Sequence, residues 1–490
     1  MRVTWPWTPA GLEFTRNLAV CEAHLKDGSA AVAAWNAELM KRILFCVPTG
    51  SVIGGIETWL DHVVPFLAER GWDPLVALAR GLKYNRPERF REAHPDLPTV
   101  EMDGRGFDRE GRIRAVQRVL RKVRPDIVMP LGLNDAYWAY FRWRKSGGTG
   151  RLVLRNQGIL PELLDQVCLY GPHADLVVSD SRLVTRFAVE HAGIPAHRVR
   201  HLPNGADATR RPTTPGSARP VLRLGYVGRF SRRDKRVLDL IGLCQRLQEQ
   251  EICATVDIVG SGPAEDELRR GLEKDAFRDM VRFHGRLSRD ELYERIYPNL
   301  DVLLLFSQSE SFGIVLVEAM MHGVVPVTSD YLGRRSERLV IHDATGLVFP
   351  VGDIQAASRL LASLAANHAM LCELSENARA KASEYTWQPR LAAWHDALRS
   401  LSRIGPLHST PTEDLAAATP TGKLERLRLP WSVVDIMRRI RRSTLGTPIR
   451  PGGEEWPLFD RSRSARAASL APVIAEIENR SNLSGHPGAA

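Results

Sequence analysis

Ile43-Leu-Phe-Cys-Val47 is an uninterrupted apolar run of strand length, and the turn that follows it, Pro48-Thr-Gly-Ser-Val-Ile-Gly-Gly55, carries three glycines. Beyond the turn the periodicity changes. Leu60, Val63, Val64 and Leu67 fall on one face of a helix. A buried strand, a glycine turn and an amphipathic helix form half of a βαβ unit, and the same unit recurs along the chain. Further apolar runs stand at Leu75 to Leu78, Ile127 to Met129, Leu152 to Leu154 and Leu176 to Val178, with helix-length segments between most of them. A Pro/Thr/Arg-rich patch, Arg210 to Pro220, interrupts the series. A second series then follows at Leu222 to Val227, Thr255 to Val259, Val281 to His284, Val302 to Phe306 and Val324 to Thr328. Strands alternating with helices require crossovers and mostly parallel sheets. The fold expected is therefore α/β, with two serial Rossmann-like domains whose parallel sheets face a common cleft. Open parallel sheets bind ligands beyond the carboxyl ends of their strands.

The domain boundaries follow from the same pattern. Residues 1–40 are an N-terminal extension, 41–210 the first Rossmann-like domain and 221–403 the second, closed by helical patterns at Ala356 to Leu364 and Leu391 to Leu401. Residues 404–490 read as a C-terminal extension, partly disordered, because Pro, Thr, Ser and Arg are frequent there. At 490 residues the chain exceeds one ordinary core. With 44% apolar and 25% charged residues it is neither fibrous nor largely disordered. No run approaches the ~18–20 apolar residues that cross a bilayer, and Met1 to Gly11 lacks the pattern of a signal peptide. Cys21, Cys46, Cys168, Cys244, Cys253 and Cys372 are scattered without metal-finger spacing, so they are expected to be reduced and mostly buried in a cytoplasmic protein. The net charge of +10 suits an anionic partner. No basic run is interleaved with aromatics that would stack on bases, so nucleic acid is not expected.

The chemistry-bearing stretch is Glu310-Ser-Phe-Gly-Ile-Val-Leu-Val-Glu318. Carboxylates eight residues apart lie ~12 Å apart on an ideal helix. That exceeds the ~5–9.5 Å of glycoside hydrolase pairs and suits two anchors along one extended ligand. Backbone amides near Ser311 to Ile314, at a helix start, are placed to receive phosphate oxygens. Gly228-Arg229-Phe230 and Lys235 follow the first strand of the second series, where a guanidinium and an ammonium neutralise a diphosphate leaving group. Gly260-Ser261-Gly262-Pro263 ends the next strand, and Phe283-His284-Gly285 the one after. Each of these alone has a plain alternative: solvated glutamates, surface arginines, a strand-ending glycine, a structural histidine.

In this order the motifs resemble those of the retaining glycosyltransferases of family 4, which have the GT-B fold. The matching elements are V-G-R-F with Lys235, G-S-G-P, F-H-G and E-S-F-G-I-V-L-V-E followed by Ala319, Gly323, Pro326 and Val327. The resemblance runs from about Arg42 to Ser402, with Gly54-Gly55-Ile56-Glu57 similar to the family's glycine loop and Leu202-Pro203-Asn204-Gly205 to the end of its first domain. It implies that Arg229 and Lys235 bind the donor diphosphate, Glu310 the transferred sugar and Glu318 the ribose hydroxyls. Donor contacts are further implied for Gly54, Gly55, Gly260, Gly262, His284, Gly285, Arg286, Leu287, Ser311, Phe312, Gly313 and Ile314. The co-substrate would be a UDP- or GDP-type sugar, the acceptor a glycan or lipid-linked sugar, and the anomeric configuration retained without a metal. The chain contains no D-x-D suited to Mg²⁺.

Two departures stand out. Arg229 and Lys235 are six residues apart, one more than is commonest, so Arg232, Arg233 or Arg236 could share the phosphate role. The histidine that many relatives carry after the strand at Ile127 to Met129 is missing. The corresponding segments read Leu131-Gly-Leu-Asn-Asp135 and Arg155-Asn-Gln157, and Asp135 and Asn156 are the acceptor candidates, with helix capping as the alternative for Asp135. Trp431 to Arg442 places Val433, Ile436, Met437 and Ile440 on one helical face beside Arg438, Arg439, Arg441 and Arg442, which suits an anionic membrane surface or packing on the enzyme. The expectation is thus a transferase, cytoplasmic and peripheral on the membrane's cytoplasmic face. The alternatives are a nucleotide-sugar epimerase on the same fold and a non-catalytic nucleotide-sugar-binding scaffold.

Overall fold

The computed structural model describes residues 42–50, 54–82, 84–105, 109–207, 221–403, 405–407, 409–411, 433, 436, 437, 440, 455–459 and 463–480. The expected N-terminal extension, the linker at 210–220 and Cys21 lie outside them. Of the other cysteines, Cys46 and Cys244 are buried, Cys168 and Cys372 half-buried and Cys253 exposed; all five are free.

The first series forms a seven-stranded sheet: β1 (Arg42–Val47), β2 (Asp73–Arg80), β3 (Thr99–Asp103), β4 (Ile127–Pro130), β5 (Arg151–Asn156), β6 (Leu176–Ser179) and β7 (Val199–His201). The spatial order is β3-β2-β1-β4-β5-β6-β7, every neighbour parallel. The second series forms six strands: β8 (Leu222–Val227), β9 (Ala254–Val259), β10 (Val281–Gly285), β11 (Val302–Leu305), β12 (Val325–Ser329) and β13 (Leu347–Phe349), ordered β10-β9-β8-β11-β12-β13, also all parallel. In both sheets the order reverses between the first strand and its fourth-strand neighbour, which opens the crevice at the carboxyl ends of β1 and β8.

Every apolar run singled out in the sequence contributes a strand. Three strands lacked a signal. Thr99–Asp103 is mostly half-buried and mixes polar with apolar residues, while Val199–His201 and Leu347–Phe349 are three-residue edge strands. Such pieces are too short or too exposed to show as apolar runs.

The helices that matter for the site are α1 (Gly55–Ala68), α2 (Arg109–Val123), α3 (Asn134–Lys145), α4 (Pro161–Tyr170), α5 (Arg182–Glu190), α6 (Ile314–Met321), α7 (Trp387–Leu401) and α8 (Leu470–Arg480). Two of them correct the expected domain plan. α7 does not close the second domain: Trp387, Leu391, Trp394, Leu398 and Leu401 are buried with Trp59, Leu60, Val63 and Leu67 of α1 in the first domain. Trp394 lies 4.9 Å from Trp59, centroid to centroid. Its apolar face fits either domain by periodicity, and the tryptophan pair decides. The C-terminal extension is also packed in part. Trp456, Leu470, Ile474 and Ile477 are buried in the first-domain core, Trp456 Nε1 donates to the Arg80 carbonyl at 3.1 Å and Arg463 pairs with the buried Asp165 at 2.6 Å. Burying each large apolar side chain stabilises by about 1.5–3 kcal/mol, enough to hold a segment whose composition is otherwise polar.

Candidate active site

Close backbone packing builds the second domain's half of the site. The amide of Gly228 donates to Val259 O at 3.0 Å, that of Phe230 to Ser261 O at 2.9 Å and that of Ala264 to Phe230 O at 3.0 Å, so the β8 and β9 loops lie against each other. A Cβ on Gly260 would overlap the Gly228 carbonyl oxygen, and one on Gly262 the backbone of Phe230. The G-S-G-P motif is therefore glycine because two loops stack. Gly313 adopts a left-handed conformation, φ 78°, as it turns the chain into α6. No side chain caps that helix start.

Between the domains these loops wall a cleft of about 600 Å³. Gly54, Gly55, Thr58, Asn204 and Gly205 line it from the first domain; Arg229, Gly260, Gly262, Arg286, Leu287, Ile314 and Glu318 line it from the second. Nine of the sequence-predicted residues therefore meet there. Glu318 receives a hydrogen bond from the Tyr297 hydroxyl at 2.9 Å. Burial pushes its carboxyl up to about 7, against the opposing effect of that hydrogen bond.

Lys235 and Glu310 stand outside that lining. They pair with each other, Nζ to Oε1 at 2.5 Å, and the Ser307 hydroxyl donates to the same oxygen at 2.6 Å. Arg229 bonds to Asp234, which also accepts from Ser231. Burial pushes the Asp234 carboxyl up, yet Ser231 and Arg229 together bring it below its ordinary range. Of the other basic candidates, Arg232 pairs with Glu267 and Arg236 with Asp239 at 2.8 Å.

Five expected donor contacts, His284, Gly285, Ser311, Phe312 and Gly313, are not among the residues that line the cleft. His284 bonds through Nε2 to Asp257 on the neighbouring strand at 2.7 Å. Gly285 accepts from the Gly260 amide at 2.7 Å. Phe312 is buried in the core around α6. Ser311 lies near the first domain's Asp180, whose carboxyl it helps to hold down.

The first domain holds the main correction. Asp135 lies in the first turn of α3 and is 1% exposed. Its carboxylate pairs with Arg112 of α2 at 2.6 Å. It neither faces the cleft nor caps the helix, since Leu133 occupies the cap position. Asn156 lines a separate pocket of about 130 Å³ together with Ile56, Arg155, Gln157, Gln166 and Leu458. Thr58, Asn204, Arg289 and Trp387 line the main cleft without having been singled out as site residues. For Asn204 and Gly205 a signal existed in the Leu-Pro-Asn-Gly stretch, and Gly205 is needed because a Cβ there would lie 2.7 Å from the Trp387 backbone. Trp387 carried no signal, because its domain could not be read locally.

Two family models match the chain and meet near the linker. "Glycosyltransferase Family 4" matches residues 53–210 and "Glycosyl transferases group 1" residues 217–381, together about two thirds of the sequence. The chain is similar to the amylovoran biosynthesis glycosyltransferase AmsK of Erwinia amylovora, 29% identical over 37% of this chain and 44% of that protein. It is also similar to the 2-deoxystreptamine N-acetyl-D-glucosaminyltransferase of Streptomyces fradiae, 25% identical over 67% of this chain and 84% of that one. The chain spans between 29% and 56% of the length of the first three curated relatives it matches. Among solved structures, Anabaena HepE in complex with UDP and glucose superposes with a TM-score of 0.58 at 21% identity, covering 74% of this chain and all of that one. The lipopolysaccharide outer core galactosyltransferase WaaB does so with a TM-score of 0.57 at 19% identity, over 73% and 99%. Sheet order, the cleft between the domains and the paired family matches agree: the chain belongs to the family 4, group 1 glycosyltransferases and has their GT-B fold.

Proposed function

We propose that the protein transfers a sugar, with retention, from a UDP-type nucleotide sugar to a hydroxyl of a glycan or lipid-linked acceptor in polysaccharide or glycolipid synthesis. The observation that carries this reading is the convergence of Arg229, the stacked glycine loops, the start of α6 and Glu318 on one interdomain cleft. A nucleotide enters with its ribose against Glu318 and its diphosphate between Arg229 and the amides at Gly313 and Ile314. Positive ends of a helix and a guanidinium stabilise the departing diphosphate without a metal. Lys235 and Glu310, already joined, supply an ammonium toward the phosphate and a carboxylate toward the sugar hydroxyls. Among the described residues no histidine lines the cleft, and the leaving phosphate itself takes the acceptor proton. The base is assigned to uracil by similarity to HepE, whose structure holds UDP, and the polysaccharide setting by similarity to AmsK.

The acceptor is assigned to the first-domain side, near Asn156. A lipid-linked acceptor is consistent with the C-terminal extension. Val433, Ile436, Met437 and Ile440 are helical and 41, 57, 41 and 58% exposed, and arginines interleave them in sequence. Such a face would sit on anionic lipid, on the cytoplasmic side of the membrane. Among the described residues no helix is long and apolar enough to cross a membrane.

Calorimetric titration of UDP, GDP and their glucose and mannose conjugates tests the donor. Proton NMR of the product's anomeric signal tests retention, and co-sedimentation with phosphatidylglycerol against phosphatidylcholine vesicles tests the lipid contact. A β-linked product from an α-linked donor would refute retention. Binding without any transfer would favour a scaffold, and failure to bind any nucleotide would remove the reading altogether.

A further inference from the structure

α8 lies outside both βα series, yet it touches both domains. Leu470, Ile474 and Ile477 bury its apolar face in the first-domain core, and Arg480 pairs with Glu190 of α5 at 3.2 Å. Two residues earlier in the same helix, Glu478 is 4% exposed and reaches the second domain. Its Oε1 accepts from the amides of Gly333 at 3.2 Å, Arg335 at 2.8 Å and Ser336 at 3.3 Å, and its Oε2 from the Ser336 hydroxyl. A buried carboxylate is costly unless its lone pairs are filled. Here four donors from a single turn fill them.

That turn is joined to the site. The Glu310 amide donates to Leu332 O at 3.1 Å, and the Leu332 amide to Gln308 O at 2.9 Å. Gly333 lies so close that a Cβ would overlap the Glu310 carbonyl oxygen. Leu332 itself packs against the first-domain core, and Glu337, at the far end of the turn, accepts from the Arg182 amide of α5 at 2.5 Å. The strand of contacts thus runs from a helix seated on the first domain, through Glu478 and the 332–336 segment, to the backbone of Glu310.

We infer that Glu478 is a positioning residue for Glu310: by holding the Gly333 turn to the first domain, it sets where the Glu310 carboxylate stands. The inference rests on the reading that Glu310 contacts the transferred sugar. A helix cap alone would account for the hydrogen bonds, but its loss would loosen only residues 333–336.

Hydrogen exchange of the full chain separates the two. In Glu478→Ala, exchange should accelerate both in 330–338 and in 307–313, whereas a simple cap leaves 307–313 as in wild type. Titration with UDP and UDP-glucose gives the second readout. UDP affinity should stay within about threefold, since Glu310 does not face the nucleotide. The extra affinity of UDP-glucose over UDP should disappear, and kcat should fall roughly 10–100-fold, as expected when a catalytic group moves by about an ångström. Glu478→Gln keeps Oε1 as acceptor and should restore most of both. Exchange confined to 330–338, or an unchanged preference for UDP-glucose, overturns the inference. Should Glu478→Ala not fold, Ser336→Ala removes one of the four bonds and must show the same pattern at smaller amplitude. Should wild type bind no UDP-glucose, the proposed function fails, and exchange in 307–313 still decides the positioning role.

Discussion

Arg229, just past β8, and Arg155, near the end of β5, both stand at the carboxyl end of a parallel strand, and they meet opposite fates. The Arg229 side chain is 63% exposed and lines the cleft. Arg155 is 5% exposed, its guanidinium 3.7 Å from the centre of the Trp59 ring and bonded to Asn204 at 2.8 Å. Burial brings the Arg155 guanidinium down to about 9, with the charge of Asp180 opposing. The carboxylates divide in the same way. Glu310 and Glu318 are tied to the cleft loops, while Asp135 is buried between helices. On the second domain's face charge is presented to a ligand; on the first domain's it is consumed by packing. A charged residue at the carboxyl end of a strand acquires a role only through what covers it.

The comparison can be broken where it is sharpest. Asp135→Ala would remove the buried carboxylate that pairs with Arg112, and should cost about 3–5 kcal/mol in urea unfolding. Turnover per folded molecule should stay within about twofold; a large loss of kcat with intact stability would return Asp135 to the acceptor site. Glu310→Ala and Lys235→Ala should do the reverse. A loss of roughly 10²–10³ in kcat is expected for each, with melting temperatures close to wild type. Wild-type rates in both variants would remove the site assignment.

Two carboxyls sharpen it through pH. Burial pushes Asp180, at the end of β6, up to about 7, and Arg155 only partly offsets this. Between about pH 4 and 7 the folded state holds a proton that the unfolded chain has released, so stability falls as pH rises and the penalty is complete above 7. Asp180→Asn should therefore stabilise by about 2 kcal/mol at pH 8 and by almost nothing near pH 4. An equal effect at both values would show that this carboxyl is not raised. In the proposed role Glu318, also near 7, accepts from the ribose hydroxyls much more strongly when ionised. Donor affinity should rise roughly tenfold from pH 6 to 8, and Glu318→Gln should flatten that dependence. A wild-type affinity independent of pH over this range would detach Glu318 from the nucleotide.

Much of this protein is written in short stretches. The run Ile43 to Val47, its counterpart Leu222 to Val227, the glycine turns and the 3.6-residue pattern of Ile56 to Leu67 each carry their meaning within about fifteen residues, and each forms the element expected. Backbone geometry is decided locally, so local sequence reports it. The G-S-G-P and E-x7-E motifs were legible for the same reason: a loop that must pack against another loop, or turn into a helix, needs glycine at a fixed place.

What no window contained was the identity of distant partners. Asp135 reads in sequence as an acceptor residue or a helix cap, and Arg112 of another helix pairs with it instead. The helical pattern of Leu391 to Leu401 was plain, but not that it would be buried against Trp59 in the other domain. Glu478 lies in the stretch read as a partly disordered extension, and it is held by the Gly333 turn, 145 residues earlier in the chain. Sequence alone determined two parallel-sheet domains and the loops that face their cleft, because those depend on periodicity and backbone freedom. Tertiary structure alone decided which charges remain available to a ligand, because burial and ion pairing belong to partners that the chain brings together only when it folds.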